Sequence, residues 1–103
     1  MEIQLWIMTQ IFVSRHPGAI EWSLSTLPRA RRVAHLDVED ICAGDEVFGT
    51  LPVDLAAEVC ARGARFHALV FDREVQDRDA LLDVRELELR NVRFEEYFVE
   101  RRG

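Results

Sequence analysis

Three observations predict a Rossmann-like α/β fold of three layers, a mainly parallel sheet of about five strands between helices. Runs rich in β-branched and aromatic residues recur at Gln10–Ser14, Arg32–Leu36, Glu46–Gly49, Arg65–Phe71 and Phe94–Glu100. Helical stretches lie between several of them. Two strand ends also share one pattern, because Ser14-Arg15-His16-Pro17 and Gly49-Thr50-Leu51-Pro52 each set a polar turn and a proline directly after a strand. Proline suits the first helical position, where its missing N–H would be unpaired anyway.

The first strand therefore feeds a helix from Pro17 to about Ser25, which Pro28 stops from continuing. After the second strand, the interval from Leu36 to Glu46 has room only for a helical turn around Val38–Cys42 and a tight turn at Gly44-Asp45. That is short for a parallel crossover. The third strand leads into a helix from Pro52 to Arg62, with Asp54 and Glu58 toward its start and Gly63 as a left-handed stop. Its apolar positions Val53, Ala56, Val59 and Cys60 share one face, as packing on a sheet requires. The charge-rich stretch Asp72–Asp83 reads as an exposed loop. Asp83 can cap a helix from Val84 to about Arg90, closed by Asn91, although Glu86-Leu87-Glu88-Leu89 alternates as a strand would.

A chain of 103 residues holds one domain and one compact site, unless two copies build a shared one. The net charge of −6 argues against duplex nucleic acid as a partner, since that binding needs a broad cationic face. All 13 cations are arginine, which removes Schiff-base chemistry and a lysine base and leaves arginine to clamp anions. Cys42 and Cys60 form no CxxC or cysteine–histidine cluster, so neither a disulfide framework nor a metal site is encoded, and no cofactor motif is present. The first residues carry Glu2 and lack the basic region and long apolar core of a signal peptide. A cytoplasmic protein without membrane contact is expected.

Side chains at a strand-to-helix turn project from the carboxyl edge of the sheet, where open α/β sheets place ligands. If the two turns share that edge, Ser14, Arg15, His16 and Thr50 converge with two helix N-termini. His16 is the candidate acid/base and Arg15 the candidate phosphate clamp. Ser14 and Thr50 supply hydroxyls for capping or for ligand. Gly18 and Gly49 either let a ligand approach the backbone or satisfy the turns. Trp22 can stack a base or pack in the core, and His35 with Asp37 forms a reserve acid/base pair at the end of the second strand. With Pro17, Leu51 and Pro52 as turn residues, these are the candidate ligand-binding positions. His67, inside a strand, reads as a structural histidine, and Glu95 and Glu96 as a solvated face.

Arg15-His16 after a strand resembles the Arg-His-Gly motif of the histidine phosphatases, but proline stands where that family has glycine, and no late strand-end histidine follows. A wider resemblance rests on Met8–Trp22, Val33-Ala34-His35-Leu36-Asp37 and Gly44–Cys60, which in order and spacing resemble the CRISPR-associated accessory family written Csx-sixteen. Past Phe71 the likeness returns only at Phe94-Glu95-Glu96-Tyr97. In that family the chain typically begins where Met8 stands, so residues 1–7 read as an N-terminal extension.

The resemblance implies a CARF-like fold and a role in type III CRISPR immunity as a ring nuclease that binds and linearises cyclic tetra-adenylate. A two-fold symmetrical ligand implies a homodimer. The reaction implied is attack of a ribose 2′-OH on the neighbouring phosphorus, which needs no metal or protein nucleophile. A binder that sequesters the messenger is the alternative.

Overall fold

Alternation of side chains along the strands decides which layer each residue joins. A computed structural model describes residues 9–72 and 82–103. The expected extension 1–7, and residues 73–81 of the expected loop, lie outside the described residues. The elements are β1 (Gln10–Val13), α1 (Pro17–Thr26), β2 (Arg31–Val33), a 3-10 turn (Val38–Asp40), β3 (Glu46–Gly49), α2 (Val53–Ala61), β4 (Arg65–Val70), α3 (Val84–Leu89) and β5 (Arg93–Tyr97).

The sheet has the order β2-β1-β3-β4-β5. β1 pairs in parallel with both β2 and β3, β3 pairs in parallel with β4, and β5 closes the sheet antiparallel to β4. Ile11, Val13, Val47 and Phe66 turn to one face and pack with Ala56, Val59 and Cys60 of α2. Phe12 and Phe48 turn to the other face and pack with Ala19 of α1 and Leu87 of α3. The three-layer α/β sandwich with a mainly parallel sheet is thus present, and its two cores lie back to back across β1 and β3.

The short interval after β2 does cross to β3, passing over β1 through the 3-10 turn. Asp37 caps that turn by accepting from Glu39 N at 3.1 Å, and Ile41 buries itself in the α2-side core. β2 comes earlier and shorter than the alternation predicts. Its middle residue, Arg32, is drawn inward to finish α1: its guanidinium donates to the carbonyls of Ser23 (2.6 Å), Leu27 (2.6 Å) and Ala30 (2.8 Å) and to Ser23 Oγ (2.9 Å). Carbonyls that a helix end leaves open are satisfied there by a cation, which also suits the helix dipole.

The ambiguous Glu-Leu-Glu-Leu stretch is helical. Asp83 Oδ1 accepts from Glu86 N at 2.8 Å while Glu86 Oε1 accepts from Asp83 N at 3.2 Å, a reciprocal capping box that outweighs the alternation. β5 ends at Tyr97, short of the expected Glu100. Cys60, placed on the buried face of α2 as expected, accepts from Val99 N at 3.4 Å and so ties the segment after β5 to the helix.

The acids of β5 are not simply a solvated face. Glu96 accepts two bonds from Arg65, at 2.9 and 2.7 Å, which hold its carboxyl below the usual carboxylate range. Glu95 accepts from Tyr97 Oη at 2.9 Å and from Arg93 Nε at 3.0 Å, and is lowered likewise. His67 is structural as read: its Nε2 lies 3.2 Å from Glu46 Oε2 and its ring stacks on Phe48.

Candidate functional site

In an open α/β sheet the ligand crevice opens where neighbouring strands send their helices to opposite faces. β1 and β3 are such neighbours, because α1 leaves β1 for one face and α2 leaves β3 for the other. Their carboxyl ends carry the two turns that end in proline. Between them lies a cavity of about 470 Å³, lined by Ser14, Arg15 and His16 from the first turn and by Thr50, Leu51 and Pro52 from the second. Ala34, His35 and Leu36 continue its wall after β2.

Seven of the expected site residues therefore come together: Ser14, Arg15, His16, His35, Thr50, Leu51 and Pro52. Arg15 is exposed and forms no ion pair among the described residues, so its guanidinium is free for an anion. Among the described residues no carboxylate lines the wall. An acidic protein thus has a local cavity where an arginine and two histidines face no opposing acid among the described residues.

The remaining four expected residues serve the fold around this cavity. Gly18 is buried with its α-carbon against Leu82–Asp83, and a Cβ there would overlap the Leu82 carbonyl oxygen. Its smallness lets the first turn of α1 meet the segment that leads into α3. Gly49, at φ +129, sits where a Cβ would overlap the Val13 carbonyl oxygen, so it serves the approach of β3 to β1. Trp22 packs on Phe94 with ring centroids 5.1 Å apart, within an aromatic group that includes Phe12 and Phe48. Pro17 is exposed as the first residue of α1 and does not reach the wall.

The α1 N-terminus is less open to an anion than its position promised. Ser14 Oγ accepts from His16 N at 3.0 Å, and His16 caps the helix, its Nδ1 lying 3.2 Å from Ala19 N. His16 Nε2 lies 3.2 Å from Leu82 N. Ser14 is thereby a turn-capping hydroxyl as well as a wall residue. By contrast α2 begins without any side-chain cap, so its first-turn N–H groups stay open beside Thr50, Leu51 and Pro52.

Sequence reasoning missed part of the apolar wall, to which Leu55 of α2, Leu69 and Phe71 at the end of β4, and Leu87 of α3 contribute. A strand-end signal was available for Leu69 and Phe71, since β4 is parallel to β3 and ends on the same edge. The mixture of apolar wall and few polar groups is that of small-molecule sites in general.

Among the described residues no helix is long and apolar enough to cross a membrane. No curated protein and no solved structure matches the chain. Residues 11–100 match the model of a family described as "Putative CRISPR-associated protein (Cas_VVA1548)". That span takes in both turns, all five strands to their carboxyl ends and every residue of the cavity wall, and the chain belongs to this CRISPR-associated family.

Proposed function

We propose that the chain is a ring nuclease of type III CRISPR defence that binds cyclic tetra-adenylate in the carboxyl-edge cavity and linearises it, ending the signal. The observation that carries this reading is the cavity itself: Arg15, His16 and His35 on a wall without carboxylates among the described residues, at the β1–β3 switch point, in a chain of a CRISPR-associated family. A polyanion with flat aromatic bases matches such a wall, with its free guanidinium, open α2 N-terminus and leucines.

The cavity falls in the size range of a single small-molecule site, roughly 300–1,000 Å³. Four nucleotides exceed it, so each protomer covers part of the ring, and a homodimer on the two-fold axis of the ligand completes the site. The protein acts in the cytoplasm on this small messenger and binds neither duplex nucleic acid nor membrane.

Chemistry of this kind asks little of the protein. The ribose 2′-OH attacks the adjacent phosphorus, the P–O5′ bond breaks, and the products are a 2′,3′-cyclic phosphate and a 5′-hydroxyl. Arg15 offsets the charge that grows on the phosphoryl oxygens, the turns align attacking and leaving oxygens, and a histidine of the wall takes the proton. No metal enters the step.

Incubating the protein with a large excess of cyclic tetra-adenylate tests the proposal. Linear product over many turnovers is the expected result. Product limited to one equivalent or none, with binding retained, converts the reading to a sequestering protein, and absence of binding removes it.

A further inference from the structure

Both histidines on the wall are candidates for the proton, and their surroundings separate them. We infer that His35 is the proton-transferring residue of the cavity and that His16 is a positioning residue; the inference rests on the ring-nuclease reading above. Among the described residues the wall holds no carboxylate, cysteine or tyrosine, and Arg15 stays charged, so the choice among them lies between the two imidazoles.

The His16 ring is occupied at both ends by donors. Ala19 N–H points at Nδ1 and Leu82 N–H at Nε2, each at 3.2 Å. A neutral imidazole has one lone pair for two such donors, and an imidazolium has none. Taking a further proton would set N–H against N–H on both sides of the ring. Gly18 removes the freedom to swing away, because its backbone is packed directly against Leu82 and Asp83. His16 is therefore a brace between the first turn of α1 and the segment leading into α3, and it holds the turn from which Arg15 projects.

His35 has the opposite setting. It is exposed on the cavity wall two residues past the end of β2, and neither ring nitrogen has a hydrogen bond among the described residues. Arg15 and His16 are the other titratable or charged groups of the wall among the described residues. As the O2′–P bond forms, a His35 nitrogen accepts the 2′-OH proton. The P–O5′ bond breaks, the 5′-oxygen takes a proton from water, and the imidazolium returns its own proton to solvent.

His16→Asn and His35→Gln separate the two roles, because asparagine caps a helix well but carries no proton at neutral pH. Expected is a His16→Asn protein whose kcat falls at least about tenfold less than that of the His35 variant, and a His35→Gln protein that loses about 10²–10⁴ in kcat with its affinity for cyclic tetra-adenylate little changed. The ascending limb of the pH–rate profile should persist in the first and vanish in the second. Loss of kcat in His16→Asn with His35→Gln active overturns the inference, as does an equal effect in both or in neither. A wild-type protein that forms no linear product removes the ring-nuclease reading instead. Imidazole ¹⁵N resonances then decide the assignment alone: added cyclic tetra-adenylate should shift those of His35 and leave those of His16, and the reverse overturns it.

Discussion

Gly49 lies beside Val13 in register at the carboxyl ends of β3 and β1, turned so that a side chain on it would overlap the Val13 carbonyl oxygen. The close approach of the two strand ends, and with it the meeting of the two turns around one cavity, depends on that absent side chain. Its φ of +129 adds a backbone conformation that other residues rarely adopt. Gly49→Ala should therefore lower stability by more than about 2 kcal/mol in denaturant unfolding. An unchanged midpoint would show that β1 and β3 tolerate separation.

Arg15 is exposed and without an ionic partner among the described residues, so its loss should barely touch the fold. Arg15→Ala is expected to unfold within about 0.5 kcal/mol of the parent. Its affinity for cyclic tetra-adenylate should fall about ten- to a hundredfold, the worth of a charged hydrogen bond to phosphate. Arg15→Lys should recover only part of it, because lysine cannot bind two oxygens in a planar fork. Calorimetric titration of the three proteins reads both effects.

Trp22 stands in the aromatic group on Phe94, away from the cavity wall. Trp22→Phe should cost about 1 kcal/mol of stability through lost contact area and leave ligand affinity within about twofold. A large loss of affinity with stability intact would return Trp22 to the binding site.

Glu95 and Glu96 carry carboxyls lowered by their bonds to Tyr97 and Arg65, respectively. A carboxyl whose folded value lies below its unfolded one stabilises the fold above the unfolded value, about 4.3 for glutamate. That contribution disappears as pH falls through the lowered folded values. Unfolding midpoints followed from about pH 6 to about pH 3 should thus decline less steeply in the Glu95→Gln, Glu96→Gln double variant than in the parent. Parallel declines would mean that these exposed pairs add nothing.

Much of the fold was legible because β1, β3 and β4 are short, apolar and followed or preceded by strong punctuation: proline after two of them, Gly63 before the third. The direction of β5 was not, since nothing local distinguishes an antiparallel last strand from a parallel one. The inward role of Arg32 in β2 was not legible either, because it depends on carbonyls of α1 that only the folded chain brings near.

The site was legible in its turns for a similar reason. Two strand ends with the same proline pattern land on one edge whenever their strands are parallel neighbours. Gly18 and Gly49 could not be assigned from sequence, because a glycine that admits a ligand and one that admits a neighbouring carbonyl look alike. Leu55 and Leu87 arrive from elements on opposite faces, so their meeting on one wall depends on the register of the whole sheet.

The most direct measurement is a titration of ¹⁵N-labelled protein with cyclic tetra-adenylate, followed by amide chemical shifts. The account predicts the largest changes at Ser14, Arg15 and His35 together with Thr50 and Leu51, saturating at one ring per two chains. Changes confined to residues of α2 and of the segment after β5, or no changes at all, would contradict it.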